Sequence, residues 1–385
     1  MNLFSRTPKD SLNFIVDVQS SVVRGSLVLM RAGQLPHIVW THDVDIAYRT
    51  NSKSAFLIDT AVKALKAIST EAHTFVRDTK AHPDIPNHIS RVHCVLSSPW
   101  IVSQARTVSQ RFDVDTKIGR SHISDVIKNE RTQLAQNSDD LMIGIEEKIF
   151  DVRLNGYSIA HWENATARTL EVSFAISLAG KHMIGRFVDA CKSAGVSGSH
   201  VDFHSSLLLQ HIALNDNFAS HDTHVLVHVH GELTDIVVAS GQTCVLFGSH
   251  PIGVRGIVRK LSHQLKITES TSDSLLAMYE NNQLDPIHGA HDIEIIHKIL
   301  DAWTDSCLKV TSLVPTNHQP TRALISARFH ETLFKNTFAA AYPTMQVELL
   351  PSEKLFELAT FDPTVSRLRL TVLYTVAIHS LEIFQ

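Results

Sequence analysis

Two stretches of the chain repeat one pattern of apolar and polar positions. Val225–Val238, V-L-V-H-V-H-G-E-L-T-D-I-V-V, is an apolar strand, a Gly-Glu turn and a returning apolar strand. Phe14–Met30, F-I-V-D-V-Q-S-S-V-V-R-G-S-L-V-L-M, has the same layout around a Gln-Ser-Ser turn. Each reads as a hairpin. After the first, Leu35–Tyr48 reads as a third strand. Ala55–Val76 then places Phe56, Ala61, Val62, Leu65 and Ile68 at helical spacing. Lys80–Asn87 holds Pro83 and Pro86 and is a loop. Arg91–Leu96 is a short strand ended by Ser97-Ser98-Pro99-Trp100. The first hundred residues are thus expected to form a β-β-β-α-β unit.

The pattern changes beyond that point. Ile118–Asn137 is polar and helical, Leu141–Leu154 alternates weakly as strands do, and Leu170–Leu178, L-E-V-S-F-A-I-S-L, alternates strongly. His182–Ala194 reads as a helix stopped by Gly195 and Gly198. Val201–Ala213 reads as a helix returning to the main body. From residue 222, Val225–Val229, Asp235–Ala239 and Thr243–Ser249 predict a meander. Helices follow at Gly253–Lys266, at Ser270–Tyr279 behind the cap-like series T-E-S-T-S-D, and from Asp292 to about Val310. Ala323–Ile325 and Met345–Leu350 read as strands, and Leu368–Phe384 as an apolar helix. The expected division is 1–100 for a first lobe, 101–198 for an inserted α+β subdomain, 199–221 for a return to the first lobe, and 222–385 for a second lobe with a closing helix.

Composition narrows the function classes. At 385 residues the chain can hold two or more domains, and 44% apolar with 19% charged residues is globular rather than disordered or fibrous. A net charge of −4 argues against a nucleic-acid or membrane-surface binder. Cys94, Cys191, Cys244 and Cys307 are far apart, form no C-x-x-C, and read as reduced core thiols of a cytoplasmic protein. Arg6, Lys9 and Asp10 precede only a short apolar run, so no signal peptide is expected. No apolar run reaches the ~20 residues of a membrane span. Histidine is abundant at 24 residues. The acid pairs Asp43/Asp45 and Asp113/Asp115 lie in polar stretches and read as solvated.

A hairpin tip can hold a phosphate when its N–H groups point inward and small residues admit the anion. A carboxylate on the incoming strand can then hold magnesium through water. The first tip offers Asp17, the hydroxyls of Ser20 and Ser21, and Arg24 as a cation. The second offers Gly231 and Glu232, then Thr234 and Asp235. Two plain hairpins with polar tips would read the same way.

The flanking residues are more specific. V-x-V-x-G-E-L-T-D-I, followed by Pro251-Ile252-Gly253 and an amphipathic helix, resembles the second phosphate motif of actin-like ATPases. F-I-V-D-V-Q-S-S-V-V-R resembles the first. The likeness is strongest to the bacterial FtsA and PilM branch. An insertion lies between the two motifs, with Leu170-Glu171-Val172 near its end. G-V-R-G-I-V-R-K-L-S-H-Q-L-K-I-T-E-S and T-V-L-Y-T-V-A-I-H-S-L resemble that branch's later helices. The resemblance implies an α/β fold in two actin-like lobes, a duplicated ribonuclease H-like unit with an inserted α+β (SHS2-type) subdomain. It implies ATP and magnesium as cofactors, with Asp17, Ser20, Ser21, Arg24, Gly231, Glu232, Thr234 and Asp235 as the nucleotide- or phosphate-binding residues.

The same comparison exposes three departures. Gln19 stands where the family has glycine in the first turn. His228 stands where the second motif begins with aspartate, and His230 where glycine follows. Ser326-Ala327-Arg328 stands where the adenosine-binding glycines fall. Bulk replaces backbone access at each place, which argues for a cleft that has lost hydrolysis and at most binds nucleotide. In the histidine series His221, His224, His228 and His230, the last three could line one face of a strand, a spacing that could hold zinc. No Asp, Glu or Cys joins them at convincing spacing, so they read instead as replacements of lost catalytic residues. Trp100 reads as a core cap.

The function expected on this resemblance is an FtsA-like scaffold of cell division, without a catalytic residue of its own. It would recruit a tubulin-like filament at the cytoplasmic face of the membrane, to which it is linked through partners. One alternative is a PilM-like type IV pilus assembly protein that holds the cytoplasmic peptide of a membrane partner. Another is an active ATPase or sugar kinase of the same superfamily. The inserted subdomain is the expected surface for docking or self-association. The closing helix matches the core fold rather than an amphipathic membrane anchor.

Overall fold

A computed structural model of the chain describes residues 10–47, 54–78, 84–136, 141–218 and 223–383. Strands β1 (Ser11–Val18), β2 (Val22–Met30) and β3 (His37–Asp45) form an antiparallel meander. Helix α1 (Ser54–Arg77) crosses back to β4 (Arg91–Leu96), which runs parallel to β1. Almost every residue of β1 and β2 is buried on both faces, which is why these runs are apolar without alternation. His221, Tyr48 and the first half of the proline loop at Lys80–Asn87 fall outside the described residues.

The inserted segment builds its own antiparallel sheet. Strand β5 (Val102–Lys117), helix α2 (Arg120–Gln136), and strands β6 (Met142–Leu154), β7 (Tyr157–Ser158) and β8 (Thr166–Gly180) pair in the order β5-β8-β6-β7. The sequence reading missed β5. It is an edge strand whose faces are both half-exposed, so its polar residues conceal the alternation. The separate sheet ends at Gly180. Helix α3 (Lys181–Cys191), expected within the insertion, packs instead on α1 in the first lobe's core through Met183, Ile184 and Phe187.

The chain re-enters the first sheet as β9 (Val201–Ser205), parallel to β4. The segment read as one helix is therefore a short edge strand followed by α4 (Ser206–Phe218). The second lobe repeats the plan of the first. Strands β10 (Thr223–Val229), β11 (Thr234–Ser240) and β12 (Thr243–His250) form the meander. Helices α5 (Val254–Leu265), α6 (Glu269–Glu280) and α7 (Ala290–Thr311) lead to β13 (Arg322–Ala327), parallel to β10. Helix α8 (Glu331–Ala341) and β14 (Gln346–Leu349) complete a sheet ordered β12-β11-β10-β13-β14.

The last stretch departs from the expected boundary. After α9 (Ser352–Phe356), β15 (Thr360–Phe361) joins the edge of the first sheet beside β3. Residues assigned to the second lobe thus extend the first sheet, whose order is β15-β3-β2-β1-β4-β9. The final helix α10 (Arg369–Ile383) packs with α4 in a core between the two sheets, where Val372, Leu373, Tyr374, Ala377 and Ile378 are buried. Its role is core packing. Among the described residues no helix is long and apolar enough to cross a membrane. All four cysteines are free and buried.

Candidate functional site

The two hairpin tips, far apart in the chain, meet face to face. The first turn is closed by the Gln19 N–H donating to Val22 O (3.0 Å), the second by the His230 N–H donating to Leu233 O (2.8 Å). Across the gap, the Glu232 N–H donates to Ser20 Oγ at 3.1 Å. A Cβ on Gly231 would lie 2.1 Å from Ser21 Oγ, so only glycine lets the tips touch.

Two backbone donors at the start of α5 are already engaged. Gly253 lies so close to the second turn that a Cβ would sit 2.5–2.7 Å from His230 O, Leu233 N and Gly231 O. That approach lets the first turn of α5 donate to the hairpin: Val254 N–H to His230 O at 2.9 Å, and Arg255 N–H to Gly231 O at 2.7 Å. A free helix N-terminus is an anion site; these two groups are spent on carbonyls.

Behind the tips lies a buried polar centre. Asp17 accepts from Gln19 Nε2 at 2.7 Å through one oxygen, while its other oxygen has no partner. Burial pushes the Asp17 carboxyl up to about 6, against the opposing pull of Arg24 and Gln19. Gln19 thus holds Asp17 from two residues along the turn. Gln19 is itself pinned, because Trp100 Nε1 donates to its carbonyl at 2.9 Å. Trp100 is buried against Phe187, ring centroids 5.9 Å apart, so it caps the core and fixes the first turn together.

In the second lobe, His230 Nε2 and Asp235 Oδ2 lie 2.9 Å apart, both side chains fully buried. Asp235 also accepts from the Ser98 N–H at 3.3 Å, a bond between lobes. The His228 ring packs edge-on to His230, centroids 4.1 Å apart. Neither His228 nitrogen finds a partner at hydrogen-bonding geometry, and the Ser326 backbone gives only a weak compensating contact. Burial, then the neighbouring His230 and Arg24, push the His228 imidazole well below its ordinary range, so it is neutral. His224 sits at the far end of β10 beside Arg322 and Glu348. Among the described residues no group of three or more His, Cys, Asp or Glu is placed to hold a metal ion.

The remaining expected residues divide by what they touch. Thr234 Oγ1 donates to Ile252 O (2.7 Å) and accepts from Trp303 Nε1 (3.0 Å), which fixes it inside the second lobe. Glu232 forms a two-pronged pair with Arg259 of α5. Arg24, expected as a phosphate cation, is buried and grips Asp43 with two bonds of 2.8 and 3.1 Å. Burial opposes its charge, but the Asp43 pair outweighs that and holds its pKa up.

Sequence reasoning missed the acids that complete this arrangement. Asp43 and Asp45, read as solvated, face the second lobe. Arg328 reaches Asp43 at 3.1 Å, and Arg255 reaches Asp45 at 3.1 Å. Their signal was available in the spacing D-V-D on β3 and in Arg328 just after β13. Only the folded chain brings them together. Asp115 pairs with Arg168 on the exposed face of the insertion, as a solvated acid would.

What remains of the cleft is divided. One cavity of about 290 Å³ lies among Ser21, Gly231, Arg255, Ser270 and Phe329. Another of about 300 Å³ lies among Arg24, His228, Glu331 and the start of α10. Gln19 and Arg328 line both and stand between them. Small-molecule sites run from roughly 300 to 1,000 Å³, so each half lies at the lower end of that range.

No protein-family model and no curated protein matches the chain. Solved structures do. PilM in the PilM-PilN type IV pilus biogenesis complex superposes with a TM-score of 0.63 at 10% identity, over 96% of this chain and 98% of that one. The ethanolamine utilization protein EutJ from Carboxydothermus hydrogenoformans gives 0.43 at 11%, over 96% and 90%. Component A of the (R)-2-hydroxyglutaryl-CoA dehydratase from Acidaminococcus fermentans gives 0.42 at 10%, over 97% and 100%. The likeness to PilM, nearly complete in both lengths at 10% identity, speaks of backbone: the chain carries the two-lobed actin-like fold, in an arrangement similar to that of PilM.

Proposed function

We propose that the protein is a non-catalytic actin-fold scaffold, PilM-like in kind, that holds a protein partner at the cytoplasmic face of a membrane. The observation that carries this reading is the direct contact of the two hairpin tips where nucleotide phosphates would lie. On this reading Asp17, Ser20, Ser21, Arg24, Gly231, Glu232, Thr234 and Asp235 join the lobes instead of holding ATP and magnesium. The PilM-like alternative moves ahead of the FtsA-like one because the backbone likeness to PilM spans both chains. PilM was solved in a complex with PilN, which supports a segment of a membrane-anchored assembly protein as the partner here.

The inserted subdomain supports a docking role. A groove of about 710 Å³ runs between α2 and β6, with Ile123, Ile127 and Trp162 on its floor and Lys128 and Lys148 on its rim. Apolar anchors ringed by charge are what a partner segment needs.

Calorimetric titration of the whole chain with ATP and magnesium tests the reading. It predicts no heat of binding and no phosphate release. Micromolar binding with turnover, both abolished in Asp17→Ala, would overturn it in favour of an active ATPase.

A further inference from the structure

The half of the cleft beside α10 has a chemistry of its own. Four guanidinium groups line its 300 Å³ cavity, those of Arg24, Arg328, Arg367 and Arg369, against the single carboxylate of Glu331. Arg369 pairs with Glu331, while Arg24 and Arg328 share Asp43. With Asp43 counted, and Asp45 at 4.0 Å from Arg328, four cations meet three acids. Arg367 has no carboxylate partner among the described residues; its guanidinium lies 5.4 Å from the centre of the Phe361 ring.

Two further observations point to a ligand. His228 lines the same cavity, is 2% exposed, and has both ring nitrogens without a hydrogen-bond partner. A buried polar group is seldom left in that state. Helices α8 and α10 also both begin at the rim, with Glu331 and Arg369 as their first residues. Their positive ends add to the field of the arginines.

We propose that this cavity binds a small polyanion, phosphate- or carboxylate-bearing, without a divalent metal. Planar guanidiniums suit the paired oxygens of either group, and the same cations would repel a magnesium ion. The volume suits a molecule the size of pyrophosphate or citrate. Such a ligand would touch β2 of the first sheet, the residue after β13 of the second, and the start of α10 together, and so would tighten the two lobes. This assignment goes beyond the scaffold reading and stands whether or not ATP turns over elsewhere.

The experiment titrates the whole chain with pyrophosphate or citrate in EDTA, at ionic strength matched by potassium chloride. Calorimetry and thermal melting are the readouts. Binding by at least one anion is expected, with the melting midpoint raised by about 3–5 °C at ~100-fold excess over Kd. The preference between the two identifies the phosphoryl or carboxylate source. Arg367→Gln, at an exposed position with no ion pair, should leave the unliganded melt unchanged and weaken binding about tenfold. Arg369→Gln should weaken it as well. Three results would overturn the proposal: no binding above the chloride control, binding that appears only with magnesium, or binding unaltered in both variants.

Discussion

Asp17 shows at the scale of one residue how the first turn is held. Its carboxyl is buried, hydrogen-bonded through one oxygen only, and raised from an ordinary value of 3.8 to about 6. Because the folded value lies above the unfolded one, the native state holds an extra proton between those pH values. The ionised group therefore weighs against folding above pH ~6, and that burden disappears as pH falls through the unfolded value near 4. At ~1.4 kcal/mol per pH unit the difference is roughly 3 kcal/mol. Asp17→Asn keeps an oxygen for Gln19 and removes the charge. It should raise stability at pH 7.5 by up to roughly 3 kcal/mol and by little at pH 4. Urea unfolding at the two pH values measures this; an equal effect at both would contradict the assignment. The aspartate was legible in F-I-V-D-V. Its entrapment by Gln19 was not, because a side-chain bond two residues along a turn depends on the turn's closed conformation.

At the scale of elements, pattern and structure agree where burial is one-sided or complete. The meanders, α1 and α5 through α7 follow from period and run length. The reading failed at β9 and at β5. V-D-F-H-S is short enough to be drawn into the helix that follows it, and β5 is exposed on both faces. It also passed over α8, α9 and β15. Helix α10 tests the element-level account most directly. Its apolar run L-T-V-L-Y-T-V-A-I raises the alternative of an anchor, but Leu373 is fully buried between the two sheets. Leu373→Ala should cost about 2–5 kcal/mol in chemical denaturation. A change within ~0.5 kcal/mol would mean that the helix leaves the core in solution.

At the scale of the whole molecule, the lobes are joined by charge as well as by the apolar layer of α4 and α10. Asp43 receives both Arg24 and Arg328, with Arg24 almost fully buried. Asp45 receives Arg255 at an exposed position. The two acids are neighbours on β3 and differ chiefly in burial, which decides their weight. Asp43→Asn strands a buried guanidinium and should destabilise by about 2–4 kcal/mol. Asp45→Asn should change stability by about 0–1 kcal/mol, since a solvated pair is screened. Thermal or urea unfolding of the two variants side by side separates these outcomes, and equal losses would refute the burial argument.

The sequence by itself determined the duplicated strand plan and the side chains that occupy the two facing turns, Gln19 among them. These features are local: apolar period, turn composition and residue size are written in consecutive positions. Tertiary structure alone decided that the hairpin tips touch, that Asp43 and Arg328 meet, that α3 belongs to the first lobe and that β15 extends its sheet. Each of these joins residues far apart in the chain, and such partners are chosen by which surfaces remain to be buried after the local elements have formed. Whether a polar tip grips an anion or its facing tip is a matter of a few ångströms between lobes, a distance that no run of neighbouring residues specifies.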